Sequence, residues 1–243
     1  AMPDQTTTIN DALGRPIRDL RISVTDRCNI RCQYCMPEKD YVWLPRADIL
    51  TFEETSSQVD VFTSLWVDRV RITGGEPLLR KNLPDLIGQL AAKTGVRDLA
   101  LTTNGILLQA QAAALRDAGL HRITVSLDTL DATRFERLTR FDELTAGLSG
   151  LERASQVGFE SIKIDTVVIR GVNDDELVDL IEFGRRVPAE VRLIEYMDVG
   201  GATHWSMERV VPRAEILANL TQHYGPLTPV QEASSAPADR YRL

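Results

Sequence analysis

The chain has 243 residues, of which 43% are hydrophobic and 26% charged, with a formal net charge of -7. These are ordinary globular values, and the apolar share is enough for a sizeable core. The acidic balance argues against a broad nucleic-acid or anionic-membrane surface, so an anionic ligand would have to be held by a local basic pocket. No run of about 18 apolar residues and no basic-then-apolar leader is present, and the expectation is a cytoplasmic protein. Ala1-Met2 reads as a cloning remnant.

Short β-branched runs alternate with longer helix-like segments, the pattern of repeated βα units on a mostly parallel sheet. After an N-terminal arm over 1–18, strands are predicted over Leu20–Thr25, Arg69–Thr73, Asp98–Thr103, Arg122–Asp128, Ile162–Ile169 and Val191–Met197, with helices between them. Thr51 with Glu54 and Asn173 with Glu176 have the spacing of capping boxes. A last helix is predicted around Pro212–Leu220, and 228–243, which contains Ala-Ser-Ser-Ala-Pro-Ala, reads as linker. Residues 19–227 thus make an α/β fold, a partial (β/α)6 TIM-like barrel.

Within the strands every second side chain is polar, whereas parallel strands covered on both faces should be nearly all apolar. Arg21, Ser23 and Thr25 share one face, followed by Arg71 and Thr73, Thr102 and Asn104, Ser126 and Asp128, Lys163 and Asp165, and Arg192. The alternate positions, such as Leu20, Ile22, Val70, Ile72 and Ile164, suit packing under helices. Either the polar face meets water, or the sheet curls and the face lines an interior. In an interior, Arg21, Arg71, Lys163 and Arg192 would need an anion, and a phosphate-bearing ligand supplies one.

All three cysteines fall in Cys28-Asn-Ile-Arg-Cys32-Gln-Tyr-Cys35. Reduced loop thiols, or a zinc site completed by a distant histidine, are the plain alternatives, but His121, His204 and His223 are isolated and show no ligand spacing. Iron–sulfur clusters normally take four thiolates, so three leave one iron open. That iron can chelate the amino and carboxylate groups of S-adenosylmethionine (SAM). Thr73-Gly74-Gly75-Glu76-Pro77 closes the second strand; its glycines allow close backbone approach and tolerate positive φ. Glu76 has two readings, a bond to the methionyl amine of SAM or the ordering of this turn.

The Cys-x3-Cys-x2-Cys and Gly-Gly-Glu-Pro elements resemble those of the radical SAM superfamily. The stretches Asp19–Glu38, Val70–Arg80, Thr102-Thr-Asn-Gly105, Ser126-Leu-Asp128 and Val172-Asn-Asp174 resemble one family within it, molybdenum cofactor biosynthesis protein A, or GTP 3′,8-cyclase. The resemblance implies a [4Fe–4S] cluster on Cys28, Cys32 and Cys35. It implies SAM contacts from Tyr34, beside the adenine, and from Gly74, Gly75, Glu76, Ser126 and Met197. It implies GTP contacts from Arg21, Arg71, Thr102 and Lys163. The plain readings of Tyr34, Ser126 with Thr102, and Met197 are loop packing, satisfied strand-end hydroxyls and core packing. Arg192 is added from strand parity, either as a phosphate contact or in a salt bridge with Asp165 or Glu195.

The implied reaction is reductive cleavage of SAM to a 5′-deoxyadenosyl radical that takes the ribose C3′ hydrogen of GTP, giving 3′,8-cyclo-7,8-dihydro-GTP. The implied partners are a one-electron reductant, cyclic pyranopterin monophosphate synthase as the next enzyme, and a second copy in a homodimer. Nucleic acid and membrane are not expected as partners. Family members continue into a segment with three further cysteines for a second [4Fe–4S] cluster, which these 243 residues lack. The expectation is therefore one cluster and impaired cyclisation. The alternatives are a radical SAM enzyme acting on another substrate, such as a peptide, and a non-catalytic metal- or nucleotide-binding barrel.

Overall fold

The computed structural model describes residues 9–199, 205–230 and 238–243. Ala1-Met2, His204 and most of the Ala-Ser-Ser-Ala-Pro-Ala stretch lie outside them. The strands are β1 (Asp19–Ser23), β2 (Arg69–Thr73), β3 (Asp98–Thr103), β4 (Arg122–Ser126), β5 (Ser161–Val168) and β6 (Glu190–Glu195). They form one sheet in the order β1-β2-β3-β4-β5-β6, with every neighbouring pair parallel. Among the described residues no pairing joins β6 back to β1, so the barrel is partial. The expected ends of β1, β4, β5 and β6 ran one or two residues too far. Thr25 and Asp128 belong to the loops at the carboxyl ends of the strands, where barrel sites are built.

Between the strands run α1 (Phe52–Ser64), α2 (Leu83–Ala91), α3 (Leu108–Asp117), α4 (Ala132–Thr139), α5 (Leu144–Val157) and α6 (Leu177–Arg186), and α7 (Arg213–Tyr224) follows β6. One side of the sheet supplies Val70, Ile72, Leu99, Leu101, Ile123, Val125, Ile162 and Ile164 to the main core. They pack against Leu83, Leu86, Leu90, Leu108, Leu115 and Leu151 of the helices. Burying each such side chain contributes about 1.5 to 3 kcal/mol, so this apolar face fixes the register of the sheet and leaves the other face free for function.

Thr51 does form the predicted capping box. Its hydroxyl accepts from the Glu54 amide at 3.1 Å, and the Glu54 carboxylate accepts from the Thr51 amide at 2.8 Å. Asn173 and Glu176 do not form one. Asn173 is buried and bonds the Ile169 amide and the carbonyls of Asp128 and Val167, while Glu176 accepts from Thr129, the Leu130 amide and Arg134. Two polar side chains at cap spacing are recruited instead to tie the ends of β4 and β5 together. Nor is 228–243 simply linker, since β7 (Thr228–Val230) and β8 (Arg240–Arg242) pair antiparallel. Arg240 of β8 reaches Glu190 at 2.9 Å. The N-terminal arm turns back on itself at an Asn10–Pro16 bridge, and an Arg18–Asp68 ion pair fastens it to the edge of the sheet.

Candidate functional site

The loop leaving β1 carries Cys28, Cys32 and Cys35, all free, with the first two half-buried and Cys35 exposed. Its turn is closed by amides of Cys35 and Met36, which both donate to the Cys32 carbonyl at 3.0 and 2.8 Å. The loop docks on the end of α4, where the Arg31 and Gln33 amides donate to the Thr139 and Leu138 carbonyls. Burial pushes all three thiols up, and at Cys32 the neighbouring charges of Asp128, Cys28 and Cys35 add to it. A metal bound here would supply the positive charge that makes these groups thiolates. Among the described residues no three His, Cys, Asp or Glu side chains gather closely enough for a single metal ion. A cubane spreads its ligands over separate corners, and three mutually interacting thiols on one docked loop fit that demand.

The Gly-Gly turn meets this loop edge to edge. The Gly75 amide donates to the Thr25 carbonyl and the Glu76 amide to the Arg27 carbonyl, each at 2.7 Å. A Cβ at Gly75 would stand 2.3 Å from the Arg27 carbonyl oxygen, and one at Gly74 would stand 2.7 Å from that of Thr25. Neither glycine adopts the positive φ that glycine tolerates, so bare approach between two backbones is what requires them. Glu76 is 1% exposed. Its carboxylate accepts from the Leu78 amide, the Thr103 hydroxyl and the Asn104 amide at 2.7 to 2.9 Å, which orders the turn. Burial raises its pKa and these donors oppose the rise.

A small cavity is lined by Cys32, Tyr34, Asn104, Ser126 and Asp128 among others, so the structure brings the candidate site residues Cys32, Tyr34 and Ser126 together with two residues of the polar face. The Tyr34 hydroxyl donates to Asp128 at 2.6 Å, and the Val167 amide donates to the other Asp128 oxygen at 2.9 Å. Asn104 donates to Asn29 of the cysteine loop at 2.8 Å. Met197 lies beyond the end of β6, 56% exposed, neither core nor part of this cavity.

Below this end of the sheet the polar face is cationic. Arg21 and Arg71 are paired in register on β1 and β2, with Arg21 exposed and Arg71 half-buried. Arg71 donates to the Thr102 and Thr124 hydroxyls, both at 3.1 Å. Its pKa is lowered by burial first and then by Arg122, Arg21 and Arg192. Lys163 donates to Glu190 at 2.9 Å, and Arg192 to the same oxygen at 3.1 Å. The expected partners of Arg192, Asp165 and Glu195, are replaced by Glu190, two residues away on its own strand. Asp165, in register with Arg192, keeps one buried oxygen without a partner. Thr124 and Glu190 were missed from sequence, although both obey the strand parity: Thr124 precedes Ser126 by two and Glu190 precedes Arg192 by two. Glu190 was passed over because the predicted strand began one residue later.

Residues 22–184 match the model of the radical SAM superfamily. GTP 3′,8-cyclase 3 of Mycobacterium bovis is 53% identical over 239 residues, which cover 97% of this chain and 63% of that protein. The chain thus spans less than two thirds of that relative's length. GTP 3′,8-cyclase 1 of Mycobacterium tuberculosis is 51% identical over 245 residues, covering 99% of this chain and 68% of that protein. Among solved structures, SuiB of Streptococcus suis superposes with a TM-score of 0.66 at 18% identity over 84% of this chain and 44% of its own, which is a likeness of fold.

Proposed function

We propose, from the premise that this chain belongs to the radical SAM superfamily and within it to the GTP 3′,8-cyclases, that it is the SAM-activating core of a GTP cyclase. The carrying observation is the placement of Cys28, Cys32 and Cys35 on the loop leaving β1, at the same end as Ser126 and above a sheet face bearing Arg21, Arg71, Lys163 and Arg192. When bound, the cluster and SAM would supply the one-electron radical chemistry that removes the ribose C3′ hydrogen of GTP.

The chain's own residues bind, orient and shield. Cys28, Cys32 and Cys35 hold the cluster. Gly74 and Gly75 bring bare backbone to the edge of the SAM position, and Glu76 stiffens the turn that presents it. Tyr34, fixed by Asp128, and Ser126 wall the cavity beside Cys32. Met197, expected at SAM, stands exposed beyond the end of β6 and outside this cavity. Arg21, Arg71, Lys163 and Arg192 form the triphosphate end, with the hydroxyls of Thr102 and Thr124 holding the Arg71 guanidinium in place. The reading calls for a low-potential one-electron reductant as partner.

Anaerobic reconstitution followed by iron counting and a SAM-cleavage assay with and without GTP tests this. About four irons per chain and 5′-deoxyadenosine formation that responds to GTP are expected. SAM cleavage indifferent to GTP would assign another substrate, and bound zinc with no cleavage would make the chain a binding module.

A further inference from the structure

Arg31 sits between the first two cysteines and has an unusual set of neighbours. One Nη donates to the carbonyls of Cys28 at 2.9 Å and Ile30 at 2.8 Å, which folds the side chain back over its own loop. The guanidinium carbon lies 5.4 Å from the ring centre of Tyr41 and 5.2 Å from that of Trp43. The two rings stack with centres 5.4 Å apart, and Tyr41 is anchored by the Glu38 amide at 3.0 Å. Aromatic faces of this kind hold a planar cation in one orientation and partly strip its water. The side chain is thus fixed at considerable entropic cost without any carboxylate partner among the described residues. Its Nε is buried without a hydrogen-bond partner. A buried charged donor left open in this way is costly unless something accepts from it.

We propose that Arg31 is the counter-charge of the cluster, a positioning residue that favours the reduced state and so eases entry of the electron. The proposal rests on the cluster reading above. Three thiolates make the oxidised cluster anionic, and reduction by one electron adds a further negative charge with no proton taken up. A fixed cation on the ligand loop stabilises that second charge. Tyr41 and Trp43 serve by denying the guanidinium to solvent.

The test uses the full chain, reconstituted anaerobically without SAM, with dithionite as reductant in a dye-mediated titration that reads the cluster midpoint potential alongside iron content and circular dichroism. Arg31→Gln is expected to keep about four irons and to move the midpoint to more negative potential, while Arg31→Lys stays near the parent. Loss of iron in Arg31→Gln with retention in Arg31→Lys supports the same role, because charge is what the two variants do not share. A parent-like potential in Arg31→Gln, an equal shift in both variants, or loss of iron from both with native circular dichroism would each overturn it in favour of a purely scaffolding arginine. A parent chain that takes up no iron would instead strike the cluster reading itself, before the variants are compared.

Discussion

Lys163 of β5 donates to Glu190 of β6 at 2.9 Å across a pair of residues in register, and this one carboxylate also holds Arg192 and Arg240. Burial works against ionisation at Glu190, but the Lys163 and Arg192 contacts outweigh it and keep its carboxyl below the usual range. Glu190 is therefore an internal anion lying where the proposed triphosphate needs cations. Glu190→Gln should free Lys163 and Arg192 and tighten binding of inorganic tripolyphosphate or GTP by about fivefold, near 1 kcal/mol for a partly exposed pair. Calorimetric titration at low and high salt checks this. Weaker binding would mean that Glu190 aligns the cations rather than competing for them.

Gly75→Ala should damage the cysteine loop directly. The added carbon would lie 2.3 Å from the Arg27 carbonyl oxygen and 2.5 Å from its carbon, both backbone atoms that yield only by moving the cysteine loop. A stability loss of about 1 to 3 kcal/mol, as for overpacking, is expected together with loss of reconstituted iron. Gly88→Ala is the control. Its nearest neighbour would be 4.0 Å away, and both iron and melting temperature should hold.

How much of this was legible in sequence follows from the range of each interaction. The alternation that separates Ile22, Ile72 and Ile164 from Arg21, Arg71 and Lys163 is written residue by residue, so the sheet and its two faces could be read directly. Thr51 and Glu54 are also local, and their capping box formed as spaced. Asn173 and Glu176 have the same local signature, yet their partners lie on other segments: the Asp128 carbonyl for one, Thr129 and Arg134 for the other. Nothing near either residue announces that competition. The glycine turn shows the same limit, because Gly75 is required by the approach of Arg27 from another loop rather than by its own φ. Arg31 could be read only as a spacer between cysteines until Tyr41 and Trp43 were seen against it.

Asn173 links three backbone groups at the ends of β4 and β5: the Ile169 amide at 2.8 Å, the Asp128 carbonyl at 2.7 Å and the Val167 carbonyl at 2.9 Å. Asn173→Ala leaves all three without that partner in a buried place. A loss of about 3 kcal/mol is expected, read from urea unfolding of the metal-free chain. Asn173→Asp should lose a similar amount, because it keeps the acceptor for Ile169 but sets a carboxylate against two carbonyls. A variant within about 0.5 kcal/mol of the parent would show that water replaces the side chain there.

Asp128 contributes a pH dependence to the stability of the metal-free chain. Burial pushes its carboxyl from 3.8 up to about 6, with the Tyr34 hydroxyl and the Val167 amide opposing the rise. The folded state then holds a proton that the unfolded chain has already released between about pH 4 and about pH 6, so stability from this group falls as pH rises through that window. Above it the chain carries the full cost of burying the charge, about 2 to 3 kcal/mol for a carboxyl raised this far. Asp128→Asn keeps an acceptor for Val167 and presents its amide to the Tyr34 oxygen without titrating. Urea unfolding should find the variant about 2 kcal/mol more stable than the parent at neutral pH, with the two converging near pH 4. Parallel curves across the window would mean that Asp128 stays ionised throughout, with the Tyr34 bond offsetting its burial.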